Sequence, residues 1–233
     1  MVELRRTQYA HFIEQCHLQG KKIVEVGCGR GEFLKVLTEF PVQAFGIEHK
    51  NDLVKIAQEN GLHVTQGFAE TAETPIDGAP FDAFLSFNFL EHQADPNAML
   101  RCIYNNLATE AYGLITVPSF QYILENDGFY ELLRDHIANY TEQTFRFVLE
   151  KNGFSVLECT TVNRDTLSAI VQKKKRVDTT NLYDNFSALS AQLQAFLSQR
   201  KEQGKKSSSV GRQSSRIYIT FNNRRRCGYC VYH

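Results

Sequence analysis

The chain has 233 residues, 42% of them apolar and 12% aromatic, which is enough for one sizeable domain with an appendage. That composition excludes collagen, coiled coil and wholesale disorder, and no apolar stretch approaches the roughly 20 residues that span a bilayer. The net charge of zero is a cancellation: residues 1–172 hold 13 Lys/Arg against 23 Asp/Glu, residues 173–233 hold 13 against 3, and the acidic body speaks against grip on a nucleic-acid backbone.

Residues 1–20 are expected to form a helical cap. From there to residue 172, short β-branched or aromatic runs alternate with amphipathic stretches, the pattern of an α/β domain with a parallel sheet covered by helices. Lys22–Val26 reads as a buried strand, and residues 31–40 as a helix with Phe33, Leu34 and Leu37 on one face, stopped by Pro41. Strands follow at 42–47 and 62–65 with a helix at 52–59 between them. Residues 81–87 are too apolar to face water on either side.

Asp95 and Pro96 open a helix to about Leu107, the first as N-cap and the second at the first helical position. A strand at 114–117 precedes helices at 122–133 and 141–152, the latter stopped by Gly153. Residues 154–160 and 166–171 flank the turn Val162-Asn163-Arg164-Asp165 as a hairpin. Within the segment 173–204, Leu182, Leu189, Leu193, Phe196 and Leu197 mark one amphipathic helix. From Lys205 the chain is basic and Ser/Arg-rich, and no regular structure is expected there. Such a tail is either solvated or a contact for an anionic partner.

The opening Met1-Val2-Glu3-Leu4-Arg5-Arg6 has no signal-peptide core behind it, and cysteines 16, 28, 102, 159, 227 and 230 are scattered. A cytoplasmic protein with free thiols and no membrane partner is expected.

Directly after the first strand stands Glu25-Val26-Gly27-Cys28-Gly29-Arg30-Gly31, and directly after the second stands Glu48. Glycines at a strand-to-helix turn let the backbone approach a ligand beside unpaired helix N–H groups, and an acid at the end of the second strand can accept both ribose hydroxyls. A dinucleotide fingerprint needs a small residue at the sixth position from Gly27, where this chain has Glu32. What remains is an acid two residues before the first glycine, poorly placed beside a pyrophosphate and well placed beside an ammonium group. Ribose plus an amino-acid moiety is the demand of S-adenosylmethionine.

On these residues, 21–172 resemble a class I S-adenosylmethionine-dependent methyltransferase. The resemblance extends to Gln66-Gly67-Phe68-Ala69-Glu70 as the adenine-side loop and to the stretch from Phe81-Asp82 to Leu90-Glu91-His92 as the fourth-strand motif. It implies a Rossmann-like, seven-stranded sheet of order 3-2-1-4-5-7-6 with the seventh strand antiparallel. It also implies S-adenosyl-L-methionine as cofactor, held by Glu25, Gly27, Cys28, Gly29, Gly31, Glu48, His49, Gly67, Phe68, Ala69, Asn88 and Phe89. Cys28 also reads as a small packing residue.

Methyl transfer from a sulfonium leaves the protein to align the acceptor and take its proton, and histidine is the natural base near neutral pH. His92 follows Glu91 on the carboxyl edge of the sheet. His136 sits in Asp135-His136-Ile137-Ala138-Asn139-Tyr140. That cluster is similar to one in bacterial sugar C-methyltransferases, which methylate carbon beside the keto group of a nucleotide-linked sugar. Carried over, Glu91, His92, Asp135 and His136 are acid/base candidates and Tyr140 lines the pocket. Departures are the missing N-terminal zinc module, Leu133 where that family has a tyrosine, with Tyr130 nearest, and the sequence after Lys205 in place of a second glycine-rich domain. A truncation or frame change is one account of that ending.

The open alternatives are an O- or N-methyltransferase of a quinone or secondary metabolite, and a binding protein without independent activity. A small-molecule acceptor, including a nucleotide sugar, and a homodimer are the partners considered. Cys227, Cys230 and His233 offer three zinc ligands where a structural site wants four, so no metal is expected.

Overall fold

The structure, a computed structural model, describes residues 2–69, 71–128, 132, 135–175, 180–203, 207–213, 216–221 and 228–231. They fall into two units, Met1–Arg176 and Val177–His233.

In the first unit, α1 (Val2–Gln15) buries Arg5, Tyr9, Phe12 and Ile13, the spacing of one helical face. The alternating pattern then gives β1 (Lys22–Val26), α2 (Glu32–Leu37), β2 (Gln43–Glu48), α3 (Asn51–Glu59) and β3 (Val64–Gln66). β4 (Phe81–Phe87) occupies the residues its apolar run marks, and five of the seven are buried, as a strand covered on both faces requires. A 3-10 turn, Leu90–His92, leads to α4 (Pro96–Asn106). Its N-cap Asp95 accepts hydrogen bonds from the backbone N–H of Asn97 and Ala98 at 3.0 Å each. β5 (Leu107–Pro118), α5 (Phe120–Glu125), α6 (Glu142–Lys151), β6 (Phe154–Val162) and β7 (Thr166–Lys173) complete the unit.

The seven strands lie in the order β3-β2-β1-β4-β5-β7-β6, the expected topology. β1 to β5 pair in parallel, and β7 runs antiparallel to both of its neighbours. One apolar layer joins the sheet to α1, α2 and α3 through Tyr9, Phe12, Leu34, Leu37 and Val54; the other joins it to α4 and α6 through Met99, Leu100, Phe145 and Leu149. Strand order reverses between β1 and β4, so their carboxyl ends open the crevice in which ligands of such sheets lie.

Two expected bounds change most. β5 begins seven residues before the expected Leu114, because a register shift opposite Phe81/Ala83 and a left-handed Glu110 (φ 61°) break the alternation that marks a strand. α5 ends at Glu125 rather than at 133: Asn126 donates its side-chain amide to the carbonyl of Tyr122, Asp127 turns left-handed and Gly128 N–H closes on the carbonyl of Ile123. Tyr130 and Leu133 lie outside the described residues. The β6–β7 turn is tight because Asn163 and Arg164 both adopt positive φ, 49° and 69°, the geometry of a two-residue hairpin.

The second unit holds α7 (Thr180–Glu202), covering the expected amphipathic helix, and a three-stranded antiparallel sheet in the order β10-β9-β8. Its strands are β8 (Ser207–Gln213), β9 (Arg216–Phe221) and β10 (Gly228–Val231). An irregular tail is expected from the sequence, yet Ile217-Tyr218-Ile219-Thr220-Phe221 is a β-branched and aromatic run of high strand propensity. Cys227 and His233 lie outside the described residues. Among the described residues no helix is long and apolar enough to cross a membrane.

Candidate active site

The glycine loop is tied to the neighbouring strand, since Gly27 and Cys28 donate their N–H groups to the carbonyl of Ile47 at 2.9 and 3.2 Å. Gly27 has φ 75°, and a Cβ there would lie 2.8 Å from the ring of Phe89, so strain and contact both demand glycine. Glu48, buried at the end of β2, turns toward the loop. Its Oε2 accepts from Gly29 N–H at 3.0 Å and its Oε1 from Lys50 N–H at 2.9 Å, with His49 Nδ1 also 2.9 Å away. A carboxylate oxygen has two acceptor positions, so Oε2 keeps one for a further donor such as a ribose hydroxyl.

His49, Phe68 and Phe89 line this cleft in edge-to-face contact, with centroid separations of 5.6 Å and 6.3 Å along the row. Val26, Gly27, Ile47, Glu48, Gly67 and Ala69 complete its walls. The structure therefore brings together most residues expected to meet the cofactor. Cys28 departs: its sulfur packs into the core 2.8 Å from where a Cβ on Gly46 would stand, and burial raises its thiol pKa far above the ordinary range. Its side chain is a packing group, and only its backbone belongs to the loop.

Beneath the loop lies Glu25, 3% exposed, with Oε2 unpartnered among the described residues. Burial pushes its carboxyl up to about 8, opposed by the nearby Arg5 guanidinium. Arg5 is itself buried, stacked 3.5 Å above the ring of Phe87 and donating to Gln8 at 2.8 Å, with its Nε unpartnered among the described residues. The sequence reading passes over Arg5. A signal was present, for it lies four positions before Tyr9 and seven before Phe12, on the apolar face of α1, where a charge is rarely buried without a partner. A buried acid and a buried guanidinium, each with an unpartnered atom, match the ammonium and carboxylate of an α-amino acid.

A second cluster stands at the ends of β4 and β5. Asn88 is left-handed (φ 46°) and fixed to β5, where its N–H meets the carbonyl of Thr116 at 3.0 Å and its Oδ1 accepts from the Thr116 hydroxyl at 2.8 Å. Glu91 follows, 1% exposed, with both carboxylate oxygens unpartnered among the described residues. Burial raises its pKa to about 7, and the neighbouring His92 works against that rise. Its backbone carbonyl accepts from Ile137 and Ala138 N–H at 2.8 and 3.1 Å, which draws the 135–138 segment onto the turn.

The Asp135-His136 segment thereby meets Glu91-His92. His92 Nδ1 lies 2.9 Å from the Asp135 carbonyl and 3.6 Å from its carboxylate, and the His92 and His136 rings are 4.9 Å apart between centroids. Tyr140 is pinned by its backbone, which accepts from Phe120 N–H at 2.8 Å, and its buried hydroxyl is unpartnered among the described residues. Asn88, Glu91, His92, Tyr122 and His136 border an open cleft of about 210 Å³. Tyr140 is not among its lining residues.

A sheet of order β3-β2-β1-β4-β5-β7-β6 with β7 antiparallel, a glycine loop on the first crossover and an acid closing the second strand together mark the class I S-adenosylmethionine-dependent methyltransferases. Residues 1–159 match the family model described as a methyltransferase domain, and the chain belongs to that family. It is 26% identical over 103 residues to a ubiquinone biosynthesis O-methyltransferase of Paraburkholderia phymatum, covering 42% of this chain and 44% of that protein. A corresponding O-methyltransferase of Methylococcus capsulatus is 35% identical over 89 residues, or 36% of this chain and 37% of the relative. The matches thus span about two fifths of these relatives' length. Among solved structures, magnesium protoporphyrin IX methyltransferase from Synechocystis PCC 6803, with S-adenosylhomocysteine bound, superposes with a TM-score of 0.57 at 16% identity, covering 74% of this chain and 83% of that one. At that identity the likeness concerns the fold.

Proposed function

We propose that this chain binds S-adenosylmethionine over the glycine loop and methylates a hydroxyl oxygen of a small-molecule acceptor held in the cleft bordered by Asn88, Glu91, His92, Tyr122 and His136. The bound sulfonium supplies an already activated methyl group, so the chain's own residues have three tasks. Glu48 holds the ribose hydroxyls, with the Gly27-to-Gly31 backbone beneath. Glu25 takes the amino-acid ammonium and Arg5 the carboxylate. Glu91, His92 and His136 receive the acceptor hydroxyl and bring about the loss of its proton, and Asn88, locked to Thr116, shapes the junction between the two clefts.

The observation that carries this reading is the approach of His136 to His92 beside the unpartnered Glu91 carboxylate, at the mouth of a cleft next to the glycine loop. The names of the curated relatives support oxygen as the accepting atom. The same encounter of Asp135-His136 with Glu91-His92 favours C-methylation beside a sugar ketone as a second reading. Incubating the protein with radiolabelled S-adenosylmethionine and panels of phenolic, amine and nucleotide keto-sugar acceptors separates them. Label in a methyl ether supports the first reading, and label at carbon or nitrogen overturns it.

A further inference from the structure

We infer that Glu91, His92 and His136 form a binding site for one divalent transition-metal ion, open toward the acceptor cleft. One ligand atom from each residue lies within 4.8 Å of the others. His92 Nε2 stands 3.8 Å from Glu91 Oε1. Ligand atoms about 2.1 Å from a shared ion lie no more than about 4.2 Å apart, so small side-chain rotations complete the set.

Proton placement gives the independent argument. A carbonyl can only accept, so the 2.9 Å contact between His92 Nδ1 and the Asp135 carbonyl places the ring proton on Nδ1. Nε2 of the neutral ring then carries a lone pair, and that lone pair is close to a carboxylate. At 3.8 Å, protonating Nε2 gives no hydrogen bond to Glu91 either. A lone pair thus faces a buried carboxylate whose two oxygens meet no side-chain donor at hydrogen-bond geometry among the described residues. A cation resolves this arrangement without displacing the Asp135 contact. A histidine whose second nitrogen donates to a backbone carbonyl is also the usual outer support of a metal ligand.

Two imidazoles and one carboxylate suit zinc, cobalt, manganese or iron in the divalent state and leave coordination positions free. Sequence spacing conceals the site because His136 lies 44 positions beyond His92 and is brought to it by the Glu91 carbonyl contacts and the bond between His92 and the Asp135 carbonyl. The ion's role rests on the proposal that the cleft receives a hydroxyl-bearing acceptor. Its free positions take the acceptor oxygen, and the acidified hydroxyl passes its proton to a solvent water.

The test is titration of the full chain, freed of metal by chelator, with cobalt(II) chloride, followed by visible ligand-field absorption and calorimetry. One cobalt per chain is expected, with no thiolate charge-transfer band. Glu91→Gln and His136→Ala should weaken binding at least tenfold while circular dichroism shows an unchanged fold. Asp135→Ala, which keeps the backbone carbonyl, should bind as wild type does. Absence of saturable cobalt binding, a thiolate band, or wild-type affinity in His136→Ala overturns the site. Methylation of hydroxyl acceptors without cobalt binding would leave the proposed function standing and remove only the metal; cobalt binding without such methylation would do the reverse.

Discussion

His92 Nδ1 lies 2.9 Å from the backbone carbonyl of Asp135, and through this contact two stretches more than forty residues apart become one site. The bond fixes the orientation and tautomer of the imidazole, while the Asp135 carboxylate, 3.6 Å away, is secondary. Asp135→Asn is therefore expected to retain methyl transfer within about tenfold, whereas His92→Ala loses at least about a hundredfold, the usual cost of removing a group that promotes loss of the acceptor's proton. Initial rates with a hydroxyl acceptor would check both. Equal losses would make the acid, not the carbonyl contact, the organising partner.

Glu48→Ala is expected to weaken S-adenosylhomocysteine binding by roughly 1–3 kcal/mol, the cost of a lost charge-assisted hydrogen-bond pair. The substitution also strips the acceptor from Gly29 and Lys50 N–H, so the loop loses its anchor along with the ribose ligand. Titration calorimetry reads the change. Unchanged affinity would remove Glu48 from the site.

Glu25 supplies a pH signature. Its carboxyl rises from 4.5 to about 8 on folding, because burial penalises the charge more than Arg5 relieves it. The folded protein thus keeps its full stability from this group below about pH 4.5 and loses it progressively as the pH climbs toward about 8. Glu25→Gln, which cannot ionise, should match wild type in urea unfolding near the lower limit and exceed it at the upper one by about 2–4 kcal/mol. The same variant should bind the cofactor more weakly. A stability gap independent of pH would contradict the assignment.

Arg5 is expected to discriminate between cofactor analogues. Arg5→Met should lower affinity for S-adenosylmethionine by roughly 1.5–3 kcal/mol, the worth of a hydrogen bond to a charged group. Affinity for the decarboxylated analogue should stay nearly the same. Parallel losses for both ligands would mean that Arg5 only packs against Phe87.

Gly27→Ala combines left-handed strain with a clash against Phe89, and a loss of about 2–4 kcal/mol in thermal unfolding is expected. Adding Phe89→Ala should recover the steric part and leave the backbone part.

Legibility in the sequence followed the strength of local signals. β4 is readable to the residue because five of its seven positions are apolar and fall on both faces, and the loop around Gly27 is readable because glycine spacing and Glu48 coincide. The early part of β5 is hidden by the positive φ of Glu110, and the end of α5 by three turn-forming residues that a helical period overrides on paper. Arg5 escapes notice because its significance is tertiary: only the fold places it beside Glu25. The approach of His136 to His92 is of the same kind, since adjacent chemistry in the sequence names the residues and long-range backbone bonds bring them together.

The most direct test of the account is a crystal structure of the full chain with S-adenosylhomocysteine. The ribose hydroxyls should lie within hydrogen-bond distance of Glu48, the amino-acid end between Glu25 and Arg5, and the sulfur should face the cleft bordered by His92 and His136. A ligand seated elsewhere, or an adenosyl group oriented with its sulfur away from that cleft, would contradict it.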